Sequence, residues 1–333
     1  MKRLTVNISL VFSVLIIIFS VPCCKKTENP IKFPKGIFPD TIIALSDINS
    51  PFDDYNMALF MLNGDIPVIF SSNRGSSGEQ FDLVQGIISF IFDQTDAGFC
   101  CTGQMTSNPF YSSIISKTVT SADELGPYAF FSPLDGFEYF LWSSENDGGD
   151  LDYFYMKHQP YFGSVLPAIE GPFPATLLNS SSEDVYICFD TNRDTAYFSS
   201  DREGKFNIYL KQRPSGMSIG TWLDLDFSAA VKADSINSAG NDKCPFVYRN
   251  MMVFASDREG GMGGTDLYYS LFRKGKWSSP VNLGPEINTP FNEYRPVLGS
   301  HQDFSNSYMI FSSDRPGGKG GFDLYFTGFN LPE

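Results

Sequence analysis

Carboxylates are the residues best supplied for chemistry in this chain, which has 38 Asp and Glu, 24 Lys and Arg, and only two histidines among 333 residues. Two carboxyl groups about 5–10 Å apart can cleave a glycosidic bond, with one acting as acid and the other as base or nucleophile. His158 and His301 are interpreted as surface or packing residues, and no catalytic residue is predicted. The net charge of -14 and the lack of a basic tract argue against nucleic acid binding.

The N-terminus has the pattern of an export signal. Lys2 and Arg3 precede an apolar run that is shorter than the ~20 residues a membrane-spanning helix needs, and Cys23 and Cys24 follow it. The pattern predicts a lipoprotein-type signal peptide over residues 1–23, with Cys24 as the acylated residue and Cys23 as the alternative. Residues 24–37 are then a tether and residues 38–333 a single domain. Ordinary secretion with a coincidental cysteine pair stays open.

A repeated motif organises the rest of the sequence. Phe-Ser-Ser-Asp-Arg, a glycine-rich turn and Asp-Leu-Tyr recur closely in three copies, and two weaker copies lie upstream. The first small residue of each copy is Ser71, Ser143, Ser199, Ala255 and Ser312, so the successive steps are 72, 56, 56 and 57 residues. Near-equal intervals of this size indicate one supersecondary unit per copy.

Each copy can be interpreted as strand, turn and returning strand, followed by an outer strand. Four short strands per unit are typical of a propeller blade. The sequence therefore predicts an all-β fold, a five-bladed propeller of four-stranded blades. The final copy is one strand short, and we expect the early run at residues 41–45 to complete that blade and close the ring. Six blades are the alternative.

The repeat resembles that of TolB-like (WD-type) β-propeller proteins. The resemblance rests on Phe-Ser-Ser-Asp-Arg, Gly-Gly and Asp-Leu-Tyr, and the link over residues 282–293 is similar to the version in cell-envelope lipoproteins of Bacteroidetes. It implies an exported protein that is lipid-anchored in the outer membrane and faces the periplasm or the cell surface.

The repeated polar residues are predicted to have structural roles, because scaffold interactions recur in every blade whereas a binding site is normally used once. We expect the Asp carboxylates to cap turns and the Arg side chains to bridge neighbouring blades. This set comprises Ser71, Arg74, Asp82, Ser143, Asp152, Ser199, Asp201, Arg202, Ser256, Asp257, Arg258, Asp266, Ser312, Asp314, Arg315 and Asp323.

The sequence gives little support for a metal site or for disulfide bonds. The glycine-rich run at residues 260–268 is similar to a calcium-binding nonapeptide, but its copies are a whole blade apart, so a hairpin turn is favoured and no metal or cofactor is predicted. Disulfides between Cys100 and Cys101, or between Cys188 and Cys244, stay open beside free thiols.

A ligand is expected where loops depart from the repeat, at residues 86–135 and 153–162. Tyr155, Tyr161 and Phe162 are the candidate ligand face. The function predicted is that of a non-catalytic module that binds another envelope protein, not an enzyme, and that meets the membrane only through its lipid. The alternative is a carbohydrate-binding or glycoside-hydrolysing propeller with a glycan as ligand.

Overall fold

Five antiparallel sheets form a closed ring in the computed structural model, which describes residues 35–60, 64–93, 95, 98–146, 148–163 and 165–332. The innermost strands of consecutive sheets contact one another around the ring. The predicted five-bladed propeller is therefore confirmed. Cys23, Cys24 and the proposed signal peptide lie outside the described residues.

Blades 1 and 2 each have four strands in sequence order. Blade 1 consists of β2 (Asp54–Leu59), β3 (Ile66–Ser72), β4 (Asp82–Asp93) and β5 (Gly98–Met105). Helix α1 (Pro109–Ile115) follows it. Blade 2 consists of β6 (Glu124–Phe131), β7 (Glu138–Glu145), β8 (Leu151–His158) and β9 (Ile169–Pro174). The longer step between the first two copies thus goes into a long β4–β5 hairpin and a helix, not into a sixth blade.

Blades 3 and 4 follow the same plan with short outer strands. Blade 3 consists of β10 (Asp184–Phe189), β11 (Thr195–Ser200), β12 (Asn207–Gln212) and β13 (Val231–Lys232), with α2 (Ile219–Leu223) before the last strand. Blade 4 consists of β14 (Asp242–Tyr248), β15 (Met251–Ser256), β16 (Asp266–Arg273), β17 (Lys276–Trp277) and β18 (Val281–Asn282), the last two both pairing with β16.

Blade 5 closes the ring with a strand from the start of the domain. It consists of β19 (Glu293–Ser300), β20 (Ser307–Ser313), β21 (Asp323–Phe329) and β1 (Ile43–Ala44). β1 pairs antiparallel with β21, placing Ile43 opposite Phe326. The early apolar run thus covers a sheet edge that would otherwise be open to pairing with another chain.

The second strand of each blade is the best buried, since every residue of β3, β11, β15 and β20 is buried. Their apolar residues are consecutive instead of alternating with exposed ones, because sheets pack against both of their faces. Their aromatic rings fill the space between blades: Phe198, Phe254 and Phe311 all have no exposed surface.

A bulge recurs in each inner strand, and its third residue has a positive φ. These residues are Asn56, Gly126, Tyr186, Cys244 and Arg295, with φ between 44° and 62°. The Cys244 amide donates to the Ser199 hydroxyl at 3.0 Å, and the Asn56 amide donates to the Ser312 hydroxyl at 3.3 Å. In blades 3 and 5 the first serine of the repeated motif thus fastens its blade to the next one.

The described cysteines are all free: Cys100, Cys101, Cys188 and Cys244. Within the described ranges, no helix is long and apolar enough to cross a membrane.

Candidate functional site

A buried carboxyl begins every inner strand of the propeller. The five residues are Asp54, Glu124, Asp184, Asp242 and Glu293, none of which has exposed surface. A Ser or Thr four residues upstream binds each one, as when the Ser180 amide and hydroxyl donate to Asp184 at 2.6 and 2.7 Å. The sequence analysis missed this ring of acids, although the spacing Ser/Thr-x-x-x-Asp/Glu repeats five times.

The arginines of the repeat neutralise four of these acids. Arg74, Arg202, Arg258 and Arg315 lie 2.5–2.9 Å from the acid of their own blade. Each guanidinium also lies over the aromatic ring four residues before it, 5.3 Å from the ring centre for Arg202 above Phe198. The ion pairs lie within a blade, because each acid partner is on the inner strand of the same blade. Each guanidinium also donates to a backbone carbonyl in the connection from the preceding blade, as from Arg202 to the Leu178 carbonyl at 3.2 Å.

The aspartates of the repeat accept hydrogen bonds from turns. Asp201, Asp257 and Asp314 each accept from the backbone amide just before the acid of their blade. Asp266 accepts from the Met262 and Gly263 amides, so its carboxylate caps the glycine-rich turn. Among the described residues, no group of three or more His, Cys, Asp or Glu could hold a metal ion.

The other repeated residues have less uniform surroundings. Ser256, the second small residue of the motif in blade 4, accepts a hydrogen bond from the Arg258 side chain at 2.9 Å. Asp323 accepts from the Lys319 and Gly320 amides. Asp152 accepts from the Asn146 side chain at 2.8 Å, and its pKa is raised by burial. Ser71 and Ser143 are buried, and their hydroxyls have no partner among the described residues.

A groove rich in aromatic rings opens where the inner strands of blades 1 and 2 end. Its volume is about 310 Å³. It is lined by Leu59, Phe60, Phe110, Tyr111, Ala129, Phe130, Phe131, Glu138, Tyr139, Tyr161 and Arg193. We call it the aromatic groove.

Helix α1 forms one wall of the groove, and its start is fixed by local sequence. The Asn108 side chain caps it by accepting from the Phe110 amide, and Pro109 occupies the first turn. This places Phe110 against Tyr161 in a stack with ring centres 4.5 Å apart, and Tyr111 against Phe60 at 4.8 Å. The insertion that departs from the repeat thus builds the groove.

Two charged groups give the aromatic groove its polarity. Burial raises the pKa of Glu138, and a hydrogen bond from the Tyr161 backbone opposes that shift. His158 lies 3.5 Å from the Glu138 carboxylate, and burial lowers the pKa of its imidazole. The Arg193 guanidinium lies over Phe130, and its Nε has no hydrogen-bond partner among the described residues. A carboxyl group and an N–H donor therefore border a ring-lined cavity.

The three predicted ligand-face residues have different surroundings. Tyr161 lines the groove. Phe162 is 88% exposed and lies outside the lining. Tyr155 is 1% exposed and its hydroxyl donates to Asp224 at 2.6 Å, so burial removes it from the ligand face.

The central channel adjoins the groove. A second cavity of about 300 Å³ is lined by residues of the four inner strands of blades 1, 2, 4 and 5 and by the β10–β11 turn. Both cavities share Leu59, Ala129 and Arg193, so a ligand in the aromatic groove would also reach the mouth of the channel.

One serine motif was overlooked in the sequence. Residues 216–220 match Gly-x-Ser-x-Gly, the pattern of a hydrolase nucleophile elbow. Ser218 instead caps α2: its hydroxyl accepts from the Thr221 amide and donates to the Thr221 hydroxyl at 2.8 Å. A helix cap that follows a loop lacks the strand-to-helix turn that exposes such a nucleophile.

Comparison with known proteins gives structural likeness without sequence kinship. No family model matches the chain, and no curated protein matches it in sequence. The endo-arabinase of Bacteroides thetaiotaomicron is similar in structure, with a TM-score of 0.54 and 12% identity over 89% of this chain and 98% of that one. The catalytic domain of a GH62 α-L-arabinofuranosidase from Coprinopsis cinerea has a TM-score of 0.51 and 12% identity, with the same coverage. GH43B of a Bacteroides ovatus xyloglucan locus has a TM-score of 0.53 and 14% identity, and 88% of this chain matches 55% of that one.

These likenesses correct the resemblance inferred from the repeat. The similar solved propellers are glycoside hydrolases of the GH43 and GH62 kinds, not TolB-like or WD-type repeat proteins. The predictions of a non-catalytic protein-interaction module and of no enzymatic activity are overturned with it. At 12–14% identity the comparison shows the fold alone.

Proposed function

We propose that this chain is a carbohydrate-active propeller that binds a short glycan in the aromatic groove. The observation that carries the proposal is a cavity walled by stacked rings with one carboxyl, Glu138, and one guanidinium, Arg193, at its border. Sugar rings present apolar C–H faces to aromatic side chains and hydroxyl groups to charged ones, so this combination suits them.

Binding is tested by calorimetry with arabinan- and galactan-derived oligosaccharides. We expect Tyr161→Ala to weaken binding by about tenfold or more, equivalent to ~1.4 kcal/mol for one lost ring contact. Phe162→Ala is the matched control, because this neighbouring aromatic is exposed but does not line the groove. Equal affinity of the two variants, with unchanged circular dichroism, would place the glycan elsewhere.

Glycoside hydrolysis is the second candidate, favoured by the raised pKa of Glu138. A carboxyl that stays protonated to higher pH can donate a proton to the leaving oxygen of a glycosidic bond. A second carboxyl, Asp135, reaches the groove indirectly by accepting from the Tyr139 hydroxyl at 2.7 Å. Glu138 would serve as the acid, and Asp135 is the candidate for the second carboxylate.

Hydrolysis is tested by release of reducing ends from arabinan, galactan and xyloglucan. We expect Glu138→Gln to abolish release while oligosaccharide binding persists, because the amide keeps the shape but cannot donate the proton. Activity of the unaltered protein should fall as pH rises through the pKa of Glu138. Full activity of the Gln variant would remove Glu138 from the chemistry but leave the binding proposal standing.

Export with a lipid anchor at Cys24 is also proposed, on the pattern of the N-terminal residues. Labelling cells with a clickable fatty acid tests it. We expect Cys24→Ala to lose the label and Cys23→Ala to keep it; unchanged labelling in both variants would contradict the anchor.

A further inference from the structure

Blade 2 departs from the other four at the position of the repeated arginine. Asn146 stands two residues after Ser144, where the other blades have Arg74, Arg202, Arg258 and Arg315 two residues after their serine. The Asn146 side chain bonds within its own turn, to Asp152 and to the Gly148 amide. Glu124, the acid of blade 2, therefore has no cationic partner among the described residues.

Glu124 is held in the same way as its counterparts. Its Oε1 accepts from the Thr120 hydroxyl at 2.6 Å and from the Thr120 amide at 3.0 Å. Its Oε2 is buried and has no hydrogen-bond partner among the described residues. In blades 1, 3 and 4 the upstream serine amide binds one carboxyl oxygen of the acid and the arginine binds the other. In Asp184, for example, Oδ2 accepts from the Ser180 amide and Oδ1 from Arg202. By this pattern, Oε2 of Glu124 is the oxygen that would face a guanidinium.

Three groups of blade 2 occupy the positions that surround the guanidinium in the other blades. The Ser144 hydroxyl lies 3.3 Å from the Thr120 hydroxyl that binds Glu124. Thr118 is six residues before Glu124. In the other blades the residue at this position accepts the second guanidinium hydrogen bond through its carbonyl, as the Leu178 carbonyl does from Arg202. Trp142 holds the position of the ring beneath the guanidinium, and indole is the aromatic group that attracts cations best.

We propose that Glu124 Oε2, the Ser144 hydroxyl and the Thr118 carbonyl bind a monovalent alkali-metal cation, beside Trp142, in the place that an arginine guanidinium takes in the other four blades. The charge argues for a monovalent ion, because in the other blades one guanidinium, with a single positive charge, neutralises one carboxylate. A buried carboxylate is stable only when a partner compensates its lost hydration.

The protonation of Glu124 supplies a second signature. Burial raises its pKa to about 7, the Thr120 hydrogen bonds oppose that shift, and the nearby carboxyls of Asp82 and Asp123 add to it. A proton and a metal ion compete for the same oxygen, so the cation should bind more tightly at pH 8 than at pH 5.5.

Thermal unfolding of the full chain tests the site. At pH 8 and fixed ionic strength, we expect NaCl or KCl to raise the melting temperature by about 2–4 °C over choline chloride. The rise should shrink at pH 5.5. It should vanish in Asn146→Arg, whose guanidinium replaces the ion, and in Glu124→Gln, which removes the charged oxygen.

The direct measurement is broadening of the ²³Na resonance by the protein, which KCl should reverse. If Asn146→Arg does not fold, Glu124→Gln is the variant that lacks the site. Equal melting temperatures of the unaltered protein in sodium and choline would overturn the proposal, and so would a sodium response of the two variants as large as that of the unaltered protein. Stabilisation by micromolar Ca²⁺ without an alkali effect would overturn it as well.

Discussion

Blades 2 and 3 start their inner strands on the same buried acid but compensate it differently. Asp184 in blade 3 is paired with Arg202 at 2.6 Å, whereas blade 2 has Asn146 at the position of that arginine and Glu124 has no charged partner among the described residues. The carboxyl and its upstream hydroxyl are thus kept where the arginine is lost. The buried carboxyl and the upstream Ser or Thr that binds it therefore shape the start of the inner strand, and the ion pair with arginine is a separate part of the repeat.

The joint leading into blade 2 is different as well. An asparagine five residues before the acid binds the third strand of the preceding blade at Asn49, Asn179, Asn237 and Asn288. Blade 2 has Val119 there, which is 58% exposed. The Gln80 side chain instead donates to the Ala122 carbonyl, and the Gln85 side chain donates to Ser112 of α1. Blade 2, which lacks these repeated contacts, is the blade whose preceding insertion builds the aromatic groove.

The largest effect should come from giving blade 3 the turn residue of blade 2. Arg202→Asn leaves Asp184 buried and uncompensated, which should cost about 3–5 kcal/mol in the free energy of unfolding. Asn146→Ala in blade 2 is the matched variant and should cost less than about 1 kcal/mol, since it breaks only turn hydrogen bonds. Urea unfolding measures both, and equal losses would show that the two turns do not differ in the way described.

An intermediate effect is expected at the joints between blades. The Tyr153 amide donates to Asn179 at 2.8 Å, and the Asn179 side chain donates to the Tyr153 carbonyl at 3.1 Å. Asn179→Ala leaves two strand groups unpaired and should lower the free energy of unfolding by about 1–3 kcal/mol. Val119→Ala, at the same position of blade 2, should change it by less than about 0.5 kcal/mol. A comparable loss at Val119 would contradict the claim that this joint relies on other contacts.

The third prediction concerns the pH dependence of stability. The pKa of Glu124 is raised from 4.5 to about 7 by burial, so the folded state holds this proton more tightly than the unfolded chain. Its contribution to stability is complete below pH 4.5 and is lost as pH rises through 7. In choline buffer, unfolding free energies of Glu124→Gln should lack this component of the decline. Glu79→Gln, on an exposed residue of blade 1, is the control, and parallel profiles for all three proteins would exclude Glu124 as the titrating group.

The repeat allowed much of the fold to be predicted because each copy carries the turn and strand signals of a whole blade. The closing strand at Ile43 was also predictable, since the last copy lacked an outer strand. Family resemblance was less reliable, because the serine, aspartate and arginine of Phe-Ser-Ser-Asp-Arg form hydrogen bonds that stabilise the blade and do not contact the aromatic groove. Tyr155 was proposed as a ligand residue because aromatic type does not reveal which face of a strand is covered.

The sequence by itself determined the number of blades, the turn chemistry and the acidic character of the chain, because these depend on local pattern and on spacing along the chain. Only the tertiary structure decided which carboxyls have partners and which rings border a cavity. Asp184 and Glu124 occupy equivalent sequence positions, yet the guanidinium that neutralises one comes from a turn residue 18 positions away and is missing for the other. Likewise Phe60, Tyr111, Glu138 and Tyr161 come from separate parts of two blades and meet only when those blades pack side by side.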